Sequence, residues 1–164
     1  MSDLLPERVE VVGLDHLYLT VADVARSEPF YDAVFGLLDF RKADSAVGGD
    51  PHRHYFNRAM QVSIRPSKSA APHDPYAPGL HHLCLQVADN AAVDSFHRLA
   101  AAHGIAATPP AFYLQYADDY YASFLTDPDG LRLEVVARRA RRKLTAARWS
   151  ELTTWLNPFQ TLKP

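Results

Sequence analysis

Apolar and polar residues alternate from His16 to Val21, with Leu17, Leu19 and Val21 on one side and His16, Tyr18 and Thr20 on the other. This period of two predicts a strand over about 14–22. Asp23 reads as a helix cap, and VARSEPFYDAVFG places Val24, Phe30, Tyr31, Val34 and Phe35 at helical spacing before Gly36, the expected stop. Pro29 is expected at an irregular or kinked turn. Short strand-like runs follow over 37–43, 52–57 and 60–65. Residues 66–78, rich in Pro, Ala, Ser and Asp, read as a linker. The pattern then restarts: a strand over 80–88, Asp89 as a cap, a helix over 90–103 ended by Gly104, and strands over 105–109, 119–126 and 131–137. The tail reads as a helix over 139–156, with Trp149, Leu152, Leu156 and Phe159 forming an apolar stripe.

The restart is a literal repeat. GLDHLYLTVAD at 13–23 and GLHHLCLQVAD at 79–89 agree at eight of eleven positions. Two copies of one supersecondary unit are therefore expected, as βαβββ–linker–βαβββ. The fold class is α+β: tandem modules at 13–65 and 79–137, a linker at 66–78, an N-terminal extension at 1–12 and a helical tail at 138–164.

Each copy carries a histidine at the same place, His16 and His82. Equivalent histidines can face one another across a pseudo-twofold axis. Asp127-Pro128-Asp129-Gly130 is a strong turn signal, and the following LRLEVV places Glu134 in an apolar strand. A buried carboxylate without a partner is costly, and a cation is one remedy. His16, His82 and Glu134 together form a two-imidazole, one-carboxylate set suited to a divalent transition metal with open positions.

The net charge of −2 gives no general pull toward nucleic acid or anionic membrane, and a hydrophobic content of 48% is ordinary for a globular chain. The basic cluster of Arg138, Arg139, Arg141, Arg142 and Lys143 is read as a solvated helix start. One cysteine, Cys84, allows no disulfide within the chain. It is expected to be a buried filler in a reducing, cytoplasmic setting. No run reaches the length of a membrane helix, and the N-terminus lacks the character of a signal peptide.

GLDHLYLTV, GLHHLCLQV and YYASFLTDPDGLRLEVV together resemble the vicinal oxygen chelate superfamily over about 13–137. That superfamily holds glyoxalase I, fosfomycin-resistance proteins, extradiol dioxygenases, methylmalonyl-CoA epimerase and bleomycin-resistance proteins. The resemblance implies a cupped mixed sheet, and metal ligands at His16, His82 and Glu134 for one divalent ion (Fe, Mn, Zn, Ni or Co). It also implies a small-molecule substrate and a homodimer. Where glyoxalase I-like enzymes carry a glutamate on the fourth strand, aligning MQVSIR with LRLEVV places Ser63. Gln61 lies on the same face. Where extradiol and fosfomycin-resistance patterns carry tyrosine, the chain has Phe124.

The expected activity is glyoxalase-like isomerase or lyase chemistry on a substrate that chelates through adjacent oxygens. The alternatives are an Fe(II) extradiol-type dioxygenase and a non-catalytic drug- or metabolite-binding protein. Tyr120 is the candidate catalytic hydroxyl. Tyr18, Thr20, Gln61, Ser63, Arg65, Gln86, Phe124 and Arg132 share the inward face as candidate substrate contacts. His81 is expected on the opposite face from His82. His52, His54, His73, His97 and His103 are expected at the surface or in linkers, and Tyr113, Tyr116 and Tyr121 as packing residues or a lid.

Overall fold

The computed structural model describes residues 9–151. Asp23 accepts the amide N–H of Ala25 (2.8 Å) and of Arg26 (3.3 Å), so the first helix starts where the sequence places its cap. Asp89 does the same for the second helix through Ala92 N (2.9 Å). In chain order the elements are β1 (His16–Val21), α1 (Val24–Leu37), β2 (Arg41–Val47), β3 (Asp50–Phe56), β4 (Gln61–Pro66), β5 (His82–Gln86), α2 (Asn90–Ala102), β6 (Ala111–Phe112), β7 (Tyr121–Thr126), β8 (Arg132–Ala137) and α3 (Arg139–Ala147).

The strands form two four-stranded mixed sheets, ordered β1-β4-β3-β2 and β5-β8-β7-β6. In each, the first strand pairs parallel with the fourth, and the remaining pairs are antiparallel. The repeated phrases thus become β1 and β5, each the edge strand of its sheet.

Burial follows the alternation. Leu19 and Val21 of β1, and Leu83 and Leu85 of β5, enter one continuous core with Tyr31, Val34 and Phe35 of α1 and Val93, Phe96 and Ala100 of α2. The helices meet each other. The Asp127–Gly130 turn binds the two halves: buried Asp127 accepts Tyr31 O–H (2.7 Å) and the N–H groups of Asp129 (2.9 Å) and Leu131 (2.7 Å). Asp129 accepts Ala22 N–H (2.8 Å) and pairs with Arg26. Burial and the Asp127 charge push the Tyr31 phenol well above its ordinary pKa, so it remains a donor.

Several boundaries differ from expectation. Gly36 lies inside α1, which runs to Leu37 because Asp39 (φ 61°) takes the left-handed turn that ends it. The second strand consequently starts at Arg41, and Gly48-Gly49, both at positive φ, close the β2–β3 hairpin. Pro29 sits within α1, not at a turn. The strand expected over 105–109 is only a bridge between Ala107 and Leu125. The tail helix stops at Ala147 and is followed by a single turn at Trp149–Glu151; Trp149 is 70% exposed. Leu152, Leu156 and Phe159 lie outside the described residues.

Candidate functional site

The face of each sheet turned away from its helix, here called the inner face, carries the candidate chemistry. Register makes the two inner faces comparable residue by residue. His16 pairs with Gln61 and Tyr18 with Ser63 in the first sheet; His82 pairs with Arg132 and Cys84 with Glu134 in the second. Ser63 therefore occupies the place of Glu134, and Gln61 that of Arg132. By the same logic His54, opposite Ser63, occupies the place of Phe124, opposite Glu134.

On the second inner face Glu134 is 1% exposed. It accepts the Tyr120 O–H, and Cys84 also lies within hydrogen-bonding reach. Its Oε2 lies 3.9 Å from His82 Nε2, too far for a hydrogen bond. Among the described residues no Arg or Lys pairs with it. Burial first, then the Glu134 contact, raises the Tyr120 pKa, so this hydroxyl orients the carboxylate and is poorly suited to be a base. Arg138 lies over the Tyr120 ring at 4.7 Å.

Cys84 is exposed on edge strand β5, not buried as expected. The sulfur itself is crowded by Tyr120 and Glu134 although the residue as a whole is exposed, and that local loss of water, then the Glu134 charge, push its pKa up to about 12, so it is a neutral thiol near neutral pH. His81 was expected to point away from His82, but its Nδ1 lies 2.8 Å from His82 Nδ1. It precedes β5, so strand alternation does not govern its direction.

The first inner face is richer in imidazoles than the sequence suggests. His52 is 1% exposed, not a surface residue, and its Nδ1 has no partner among the described residues. His54 is half-buried and spans two hydroxyls: Nε2 lies 2.7 Å from Ser45 Oγ, and Nδ1 lies 2.8 Å from Ser63 Oγ. Gln61 Nε2 donates to Ser63 Oγ (2.8 Å). Tyr18 meets His16, His52 and His54 edge-on, with ring centroids 5.7, 5.8 and 6.3 Å away. Arg65 is committed to Asp50 (2.9 Å). Thr20 and Gln86 are exposed on edge strands β1 and β5. Residues on β3 facing inward beside Ser63 were the missed functional candidates; their signal was the shared parity of His52, His54 and Phe56 within the strand expected over 52–57.

His16 Nδ1 is held by Asp15 Oδ2 (2.7 Å), as His82 Nδ1 is held by His81. Both imidazoles thus keep Nε2 available, the arrangement usual for metal-binding histidine. Among the described residues of one chain, however, no three His, Cys, Asp or Glu side chains gather so as to hold an ion. His82 and Glu134 approach each other; His16 does not join them. Phe124 and Arg132 line an open groove of about 680 Å³ beside them, walled by Tyr113 and Tyr116.

A sequence model of the Glyoxalase/Bleomycin resistance protein/Dioxygenase superfamily matches residues 13–135. No curated protein matches. Among solved structures, a glyoxylase/bleomycin resistance protein/dioxygenase domain from Frankia sp. EAN1pec is 21% identical, covering 78% of this chain and 98% of its own, with a TM-score of 0.64. A glyoxalase/bleomycin resistance protein from Albidiferax ferrireducens T118 is 26% identical, covering 76% of this chain and 97% of its own, with a TM-score of 0.55. A single-residue mutant of the fosfomycin resistance protein FosX from Listeria monocytogenes, complexed with Mn(II) and 1S,2S-dihydroxypropylphosphonic acid, is 17% identical, covering 83% of this chain and 99% of its own, with a TM-score of 0.60.

Proposed function

The chain belongs to the glyoxalase/bleomycin resistance protein/dioxygenase superfamily, and from that premise we propose that it is a metal-dependent enzyme of glyoxalase-like, isomerase or lyase type. Its substrate is a small molecule presenting two adjacent oxygens. The observation that carries this reading is Glu134: a buried carboxylate with no Arg or Lys partner among the described residues, facing an imidazole nitrogen at 3.9 Å. His82 and Glu134 would hold a cation here, and such an ion would offset the cost of burying the carboxylate. The donor set suits a divalent transition metal.

One chain offers two of the three donors. We assign the third to His16 of a second copy, in a homodimer that brings edge strand β1 of one chain beside edge strand β5 of the other. The inner-face residues His16, Tyr18 and Thr20 of β1, and His82, Cys84 and Gln86 of β5, are exposed in the single chain, as such an assembly requires. An ion held there would supply Lewis-acid polarisation of substrate oxygens.

The remaining work falls to side chains. Tyr120 holds Glu134 in place. His54 moves the proton: with its Nε2–H given to Ser45, Nδ1 accepts from Ser63, whose oxygen is fixed by Gln61. A hydroxyl–imidazole pair thus stands where glyoxalase I-like enzymes carry a carboxylate.

Elemental analysis of protein purified without added metal tests the reading. A stoichiometric divalent ion, lost in His16→Ala, His82→Ala and Glu134→Ala alike, supports it. Protein that is metal-free as isolated and binds no divalent ion on titration contradicts it and leaves a metal-independent binding protein.

A further inference from the structure

We propose that the groove beside β8 is a subsite for a planar monocarboxylate carried on a flat apolar body, with Arg132 as its anchor. The guanidinium of Arg132 lies 4.1 Å from the centroid of the Phe124 ring. Tyr113 meets the Phe124 ring edge-on at 4.8 Å and stacks with Tyr116 at 6.3 Å; Tyr116 in turn lies 5.0 Å from Tyr120. This aromatic wall runs from the cation of Arg132 to the Tyr120 hydroxyl that holds Glu134.

The wall is fixed. The backbone of Phe124 exchanges hydrogen bonds with Thr108, at 2.8 Å to Thr108 N and 2.9 Å to Thr108 Oγ1, and Tyr113 N–H is bound by Tyr120 O at 2.8 Å. The cation is unspent. Arg53 and Arg65, half-buried on the first sheet, pair with Glu28 and Asp50 respectively. Arg132 has no carboxylate among the described residues, and its buried Nε has no acceptor. A guanidinium packed against a ring keeps its N–H groups in plane, a fork that matches a carboxylate in two parallel hydrogen bonds.

Charge and spacing narrow the occupant. Among the described residues that line the groove, Arg132 is the one charged side chain, and the Glu134 carboxylate lies two residues along the same strand face, about 7 Å away by strand repeat. That neighbour disfavours a dianion. The same spacing admits one ring between the anchor and the His82–Glu134 end. As a description of substrate, the subsite rests on the metal-site reading. As a binding site, it needs no ion.

The test uses benzoate, benzyl alcohol and phenylphosphonate, titrated calorimetrically into the full chain with and without chelator. Benzoate is expected to bind in both conditions and to bind at least about tenfold more tightly than benzyl alcohol, the range of a charge-assisted hydrogen bond. Arg132→Gln should remove that preference and leave benzyl alcohol unchanged, while Arg132→Lys, a variant that keeps the charge, should retain part of it. Benzoate affinity that is unchanged by chelator, whatever metal the protein holds, makes failure of the metal reading distinguishable from failure of the subsite. Benzoate binding no tighter than benzyl alcohol, an Arg132→Gln variant with the wild-type preference, or phenylphosphonate binding tighter than benzoate would each overturn the proposal.

Discussion

Ser63 and Glu134 occupy one place in two copies of the same parallel strand pair, yet they keep different company. Ser63 belongs to a hydrogen-bonded chain, Ser45–His54–Ser63–Gln61, to which we assign the proton transfer. Glu134 is a buried charge fastened by Tyr120 and faced by His82. The backbones agree in register and edge position at the parallel pair but not beyond it: Tyr120 reaches Glu134 from the 113–120 segment between β6 and β7, where the first half has only the Gly48-Gly49 turn. Duplication supplies the frame; each half can then specialise, one in holding charge and the other in moving protons. A protein with both functions in one half would need an acid and a base side by side on a single strand pair, where each would perturb the other.

The largest effect that sharpens this contrast is expected from Glu134→Ala. Bound metal should fall below detection by elemental analysis, whereas Ser63→Ala should leave the metal load unchanged. Tyr120→Phe should come next. It keeps the ligand but frees it, and metal affinity measured by chelator competition should drop about 10- to 100-fold, as for other supporting contacts around a metal.

Tyr31→Phe tests what joins the halves. Loss of the buried O–H···Asp127 bond should cost about 1–2 kcal/mol, and thermal unfolding should remain one transition displaced downward by a few degrees. Two separate transitions would show that the halves unfold independently.

The smallest effect concerns Cys84. In metal-free protein its pKa is raised to about 12 in the folded chain, above the ordinary thiol value, so the folded state holds the proton through the window from about 9 to 12 while the unfolded chain releases it. Stability should therefore lose a small increment as pH rises through that window, and Cys84→Ser should remove the increment. Iodoacetamide should modify the native thiol far more slowly at pH 8 than the denatured one, despite its exposed position. Equal rates would show that neither burial of the sulfur nor the Glu134 charge suppresses this thiol.

What the sequence disclosed was local. The repeat, the Asp23 and Asp89 caps and the Asp127–Gly130 turn each depend on residues within one segment, and each stands where the pattern places it. The errors came from non-local partners. His52 and His54 share a strand parity, but their partners Ser45, Ser63 and Tyr18 reach them from three other strands, which the parity does not disclose. Asp39 in a left-handed conformation lengthened α1 past Gly36 and shifted β2, a choice no hydrophobic period records. His81 escaped the alternation rule because it sits before the strand. Ser63 was placed opposite Glu134 by simple alignment, and the strand register agrees, because both strands keep the period of two from end to end.

The central claim is that two duplicated halves, from two copies of the chain, complete one ion site. Mixing His16→Ala with His82→Ala under conditions of subunit exchange tests it most directly. Each variant alone should be metal-free. Random pairing makes half the dimers mixed, and each mixed dimer holds one intact site of two, so metal should return to about a quarter of all sites. Absence of any recovered metal after verified exchange, or a full load in either variant alone, would contradict the account.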